Sequence, residues 1–107
     1  MLSRLINQME KFGDIIRSKR EAKGMLLRQL SALIEVDSAI LSKIERGERK
    51  ARREQVVKIA KALELDEKEL LIEYLSENIA YEILEEDSAN YVLKVAESKI
   101  NYLRNQK

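Results

Sequence analysis

The chain has 107 residues, 45% of them hydrophobic and 36% charged, so it carries enough apolar side chain for one compact core and does not read as disordered. Cysteine, histidine and proline are absent and glycine occurs three times. That composition removes disulfides, thiolate nucleophiles, most zinc sites and the commonest general base, and it supplies too few turn residues for a sheet protein. The net charge of +1 hides an asymmetry, because residues 1–65 carry 15 Lys/Arg against 9 Asp/Glu (+6) and residues 66–107 carry 5 against 10 (−5). A basic half suited to a polyanion is therefore joined to an acidic half with another task.

The apolar spacing predicts an all-α chain. A first helix is expected from Lys11 to Lys23, with Phe12, Ile15, Ile16 and Ala22 on one face and Gly24 as its left-handed stop. A short helix from Leu26 to Ile34 places Leu27, Leu30, Leu33 and Ile34 at helical spacing. Asp37 is positioned as the N-cap of a third helix, Ser38 to Arg46, which would bury Leu41 and Ile44 and stop at Gly47. A fourth helix runs from Glu54 to Leu63, and Asp66 caps a longer one from Glu67 to Leu84. Ser88 opens the last, which reaches Asn105. Residues 1–10 form an N-terminal extension in which Leu2, Leu5, Ile6 and Met9 could make one amphipathic turn, or Met9 could be the natural start. No apolar run approaches the roughly 20 residues of a membrane span, and the interrupted N-terminus does not read as a secretory signal. A cytoplasmic, nucleoid-associated protein is expected, with no membrane partner.

Two short helices joined by a tight turn are the arrangement of a DNA-reading head, in which the second helix enters the major groove and the first braces it. Leu30 and Leu33 would anchor the brace, Val36 the turn, and Leu41 and Ile44 the second helix. This leaves Ser38, Ala39, Ile40, Ser42 and Lys43 facing outward as the base-reading set.

The ordered set Ile16-Arg-Ser-Lys-Arg-Glu-Ala-Lys-Gly24, Leu30, Val36, Ile40-Leu-Ser-Lys-Ile-Glu-Arg-Gly-Glu-Arg49 and Ile59-Ala-Lys-Ala-Leu63 resembles the Xre/Cro-type helix-turn-helix family. That family includes phage repressors, controller proteins of restriction–modification systems and autorepressing antitoxins. The resemblance spans about residues 12–71 without a gap. It implies an all-α, five-helix lambda-repressor-like fold with an additional C-terminal helix. The helix-turn-helix DNA-binding domain is assigned to residues 11–65 and an acidic helical extension, suited to dimerisation, to residues 66–107. It also places Ser38, Ala39, Ser42 and Lys43 where the family reads bases, and matches Arg20 and Glu45 to an internal ion pair. The chain departs from the pattern at Leu26 and Leu27, where the family has a capping Ser/Thr and a phosphate-contacting Gln, and at Ala51-Arg52, where Pro-Ser is common. Arg28 is assigned the phosphate contact in place of the missing glutamine.

Lys43, Arg46, Arg49, Lys50, Arg52 and Arg53 fall within eleven residues directly after the reading helix. Arg46, Arg49, Lys50, Arg52 and Arg53 are assigned with Arg28 to phosphate contacts, which position a protein without reading sequence. In the acidic half, Leu71, Tyr74, Leu75, Ile79, Tyr91 and Val95 are assigned to a homodimer interface, because one short reading helix is selective only when two-fold symmetry supplies a second half-site. The expected partner is double-stranded DNA with a pseudo-palindromic operator, bound by an autoregulatory dimeric repressor or controller. The alternative is an antitoxin-type module whose acidic helices hold a protein partner. No catalytic residue, metal ligand or cofactor is assigned: Glu85 and Glu86 stand without a nucleophile or a phosphate-cradling glycine loop.

Overall fold

The computed structural model describes residues 10–106; the expectations for Leu2, Leu5, Ile6 and Met9 concern residues outside that range. The described residues form six helices and no strand: α1 (Phe12–Ala22), α2 (Leu27–Leu33), α3 (Ser38–Glu45), α4 (Arg53–Ala62), α5 (Glu67–Ile83) and α6 (Ala89–Arg104). Helix identities agree with the apolar periodicity, and the ends shift by a residue or so, as helix ends do.

The residues divide into two compact units, one ending at Glu77 and the other beginning at Asn78. The first reaches beyond the expected boundary at residue 65 because the opening turns of α5 are part of its core. Asp66 Oδ1 accepts the Glu69 backbone N–H at 2.9 Å and starts that helix. Leu70 and Tyr74 are then buried with Ile15 and Ile16 of α1, Leu30 and Ile34 of α2, Leu41 and Ile44 of α3, and Val56, Ile59 and Leu63 around α4. Tyr74 meets Phe12 edge-on, with ring centroids 5.6 Å apart, and its hydroxyl donates to the Ala51 carbonyl. Glu77 accepts the Phe12 N–H at 2.8 Å; a carboxylate there faces the positive end of the α1 dipole.

Two core assignments change. Leu33 is 59% exposed, since the buried face of this seven-residue helix runs through Leu30 and Ile34 and Leu33 lies about 100° round from Ile34. Ala22 is exposed as well, in the last turn of α1.

Helices α1 to α4 end alike. Gly24, Glu35, Gly47 and Glu64 all have positive φ, between 57° and 76°. In each case the N–H one residue further on returns to a carbonyl of the last turn: Met25 to Arg20, Val36 to Ser31, Glu48 to Lys43, Leu65 to Ala60. This paired closure is the Schellman pattern. Helix starts use a second repeated device, because Gln29 and Gln55 each accept the N–H of the residue three before them, Leu26 at 2.7 Å and Arg52 at 2.8 Å. Asp37 and Ser88 occupy cap positions as expected but make no side-chain cap bond.

Gly13 sets how α1 crosses α3. A Cβ there would stand 2.5 Å from the carbonyl oxygens of both Ile44 and Glu45, and backbone cannot swing aside as a side chain does. Gly13→Ala should therefore cost about 1–3 kcal/mol through overpacking, read as a lower urea midpoint at unchanged slope. An unchanged midpoint would mean that the two helices have room to part.

In the second unit, α6 buries none of its residues. Tyr91 is 74% exposed, and Val92, Val95, Ile100 and Leu103 are exposed with it. Sixteen residues of helix with no buried face have little intrinsic stability in water, so this apolar surface calls for a cover.

Candidate nucleic-acid interface

The brace and the reading helix are tied by side chains as well as by the Val36 turn. Ser31, buried on α2, has its hydroxyl 2.8 Å from that of Ser38 at the start of α3. Arg20 ties α1 to the other end of α3: its Nε donates to Glu45 Oε2 at 2.7 Å and its Nη2 to Oε1 at 3.0 Å. Its Nη1 donates to the Met25 carbonyl at 2.8 Å. Both members of the pair are buried, at 9% and 6% exposure. The bond to Glu45 raises the Arg20 pKa above its ordinary value, with burial opposing.

The five outward residues of α3 have different fates. Ser38 is half-buried and its hydroxyl is engaged by Ser31. Ile40 is partly buried and packs against the core. Ser42 is half-buried and accepts a hydrogen bond from Arg46 Nη1. Ala39 and Lys43 stand exposed. Ala39, Ser42, Lys43 and Arg46 follow i, i+3, i+4, i+7 and share one side of the helix.

The basic residues assigned to phosphate, Arg28, Arg46, Arg49, Lys50, Arg52 and Arg53, are all exposed. Arg52 has Glu54 as an ion-pair neighbour at 3.5 Å. Arg46 is held more closely, its Nε 3.0 Å and Nη2 3.2 Å from the two oxygens of Glu48. That contact holds the Arg46 pKa above its usual value and the Glu48 carboxyl below the usual carboxylate range, with Lys43 adding a smaller effect on Glu48. Sequence reasoning missed Ser31, Glu48 and Gly13. The signals that could have found them are the polar-to-polar spacing across the turn, an acid two residues beyond an arginine, and a glycine inside the first helix.

Of the residues assigned to a dimer interface, Tyr74 is a core residue, 8% exposed with its hydroxyl bonded to Ala51. Leu71 is half-buried against the same core. Leu75, Ile79, Tyr91 and Val95 are exposed, at 40%, 51%, 74% and 45%. Among the described residues no group of three or more carboxylates could hold a metal ion, and no helix is long and apolar enough to cross a membrane.

A buried-braced pair of short helices, the second presenting an exposed face followed by a basic turn, defines the helix-turn-helix class of DNA-binding regulators. Residues 16–70 match the model of the helix-turn-helix family HTH_3, and the chain belongs to that family. Solved structures similar to it include two regulators. One is the restriction–modification controller protein C.AhdI from Aeromonas hydrophila, 34% identical with a TM-score of 0.53, over 55% of this chain and 89% of that one. The other is the clp gene regulator ClgR from Corynebacterium glutamicum, 31% identical with a TM-score of 0.54, over 76% of this chain and 85% of that one. A comparison with curated proteins finds no match.

Proposed function

We propose that this protein is a sequence-specific transcriptional regulator that binds a pseudo-palindromic operator as a homodimer and controls its own expression. The observation that carries the reading is the exposed side of α3, with Lys43 in no ion pair within 4.0 Å among the described residues, followed at once by exposed Arg49, Lys50, Arg52 and Arg53. Groove entry by α3 and backbone contact by this turn, with Arg28 on α2, use those features together. The first unit, whose core takes in Leu70 and Tyr74, acts as the reading domain, and the apolar surface exposed from Leu75 onward serves dimerisation. Similarity to a restriction–modification controller protein supports a regulatory role.

The test is a mobility-shift titration on DNA upstream of the protein's own coding region, with excess nonspecific competitor. A discrete, competitor-resistant complex is expected; a smear that competitor abolishes would refute sequence-specific regulation. Within that complex, Lys43→Ala should cost about 1–3 kcal/mol at one base position per half-site and leave the others alone. Unchanged preference at every position would remove Lys43 from the readers.

Exposed Leu75, Ile79, Tyr91 and Val95 support the homodimer. Leu75→Glu should shift the chain to monomer in sedimentation and weaken operator binding, while the helical signal of the first unit persists. The same exposed apolar residues also support a second reading, in which the acidic half holds a different protein as an antitoxin does. A Leu75→Glu variant that remains dimeric would move the interface elsewhere and favour that reading.

A further inference from the structure

On the outward side of α3 the structure leaves few groups able to read a base. The Ser38 hydroxyl is engaged by Ser31, Ile40 packs on the core, and Ala39 offers only a methyl. Lys43 is a point charge with no fixed geometry. One planar donor remains on this side, the guanidinium of Arg46, which the sequence had assigned to phosphate. It is the C-cap residue of α3, one turn beyond Ser42. Helical side chains lean toward the N-terminus, so a long side chain at this position lies back over the preceding turn. Its bond to Ser42 places it there.

Guanidinium carries five N–H donors in a fixed plane. Three are taken here: Nε and one hydrogen of Nη2 by Glu48, and one hydrogen of Nη1 by Ser42. One hydrogen remains on Nη1 and one on Nη2; a Ser42 bond through the Cδ-side hydrogen of Nη1 leaves the parallel pair at the end of the fork. That pair of donors matches the O6 and N7 acceptors of guanine in the major groove. We propose that Arg46 is a base-reading residue, a bidentate guanine reader held in place by Glu48 and Ser42, and not a phosphate contact. Glu48 is then a positioning residue: it consumes the side edge of the fork, fixes its plane and lowers the net charge that Arg46 offers to the backbone. The inference rests on the DNA-binding reading above.

The experiment selects preferred sites from randomised duplex DNA with the wild-type chain. It then measures competition by single-base variants of that site, and the salt slope of binding, for wild type, Arg46→Lys, Arg46→Ala and Glu48→Gln. Arg46→Lys keeps the charge but loses the fork. It should erase a guanine preference at one position per half-site, a discrimination of about 5- to 150-fold. The salt dependence of nonspecific binding should stay as it was, since the charge is kept. Glu48→Gln should blunt the same position and no other. If Arg46→Lys leaves every base preference intact, or Arg46→Ala lowers affinity for all sequences alike with a shallower salt slope, Arg46 contacts phosphate and the proposal fails while DNA recognition stands. A wild-type chain that selects no sequence refutes both.

Discussion

Replacing Glu45 by alanine is expected to cost the first unit about 3–5 kcal/mol, the range for removing one member of a buried ion pair. The carboxylate is 6% exposed and receives two charge-assisted bonds from Arg20, at 2.7 and 3.0 Å. Without it the guanidinium keeps the Met25 carbonyl, which answers one donor and none of the charge. Arginine does not escape by losing its proton, since its pKa lies above the working range even before Glu45 raises it further. A small domain holds about 5–15 kcal/mol in all, so this single change removes a large share. With a urea slope of about 1–3 kcal/mol/M the midpoint should fall by roughly 2 M. The cause is separable from lost packing. Arg20→Met combined with Glu45→Leu removes both charges and should recover most of the loss, because an apolar substitute for a buried pair is often neutral. A Glu45→Ala cost below about 1 kcal/mol would place the pair with exposed ones, which contribute little. The functional consequence follows from position: Glu45 ends α3, and the pair bolts that end to α1.

Much of this architecture was legible in the chain. The apolar periodicity located all six helices, because burial of one face is what makes an amphipathic segment helical. Arg20 and Glu45 came from a resemblance, and the geometry now supplies the reason the two meet. What stayed hidden depended on neighbours distant in sequence. Leu33 shares the helical spacing of Leu30, yet a seven-residue helix buries only a narrow face and leaves it in solvent. Tyr74 looked like interface from its own helix alone; only the meeting with Phe12 and Ala51 makes it core. Helices α2 and α4 end on Glu35 and Glu64 in the left-handed region, where glycine or asparagine would have been the signal. On α3 the spacing placed Ala39 and Lys43 in solvent as expected, but Ile40 packs on the core and Ser38 is half-buried. The use of the polar groups depends on Ser31 and Glu48, one from the brace and one from the turn.

Binding to the operator should weaken about 10³-fold between 50 and 200 mM monovalent salt. The figure follows from counter-ion release, with a slope of log affinity on log salt of roughly −0.9 for each phosphate neutralised. With three contacts per subunit a dimer neutralises about six, which gives a slope near −5. Five exposed cations, Arg28, Arg49, Lys50, Arg52 and Arg53, are candidates for those three. Arg52 is the weakest of them, since Glu54 shares its charge. Arg49 and Lys50 have no ion-pair partner within 4.0 Å among the described residues and lie in the turn directly after the reading helix. Changing both to glutamine should therefore remove about four contacts per dimer and bring the slope near −2, with base preference unchanged because phosphates carry no sequence information. Fluorescence anisotropy on one operator duplex across a salt series measures this. A slope that stays near −5 in the double variant would move the backbone contacts to Arg28, Arg52 and Arg53 and rotate the expected docking toward the starts of α2 and α4. A wild-type slope near −2 would mean that few phosphates are touched, so that affinity must come from the groove itself.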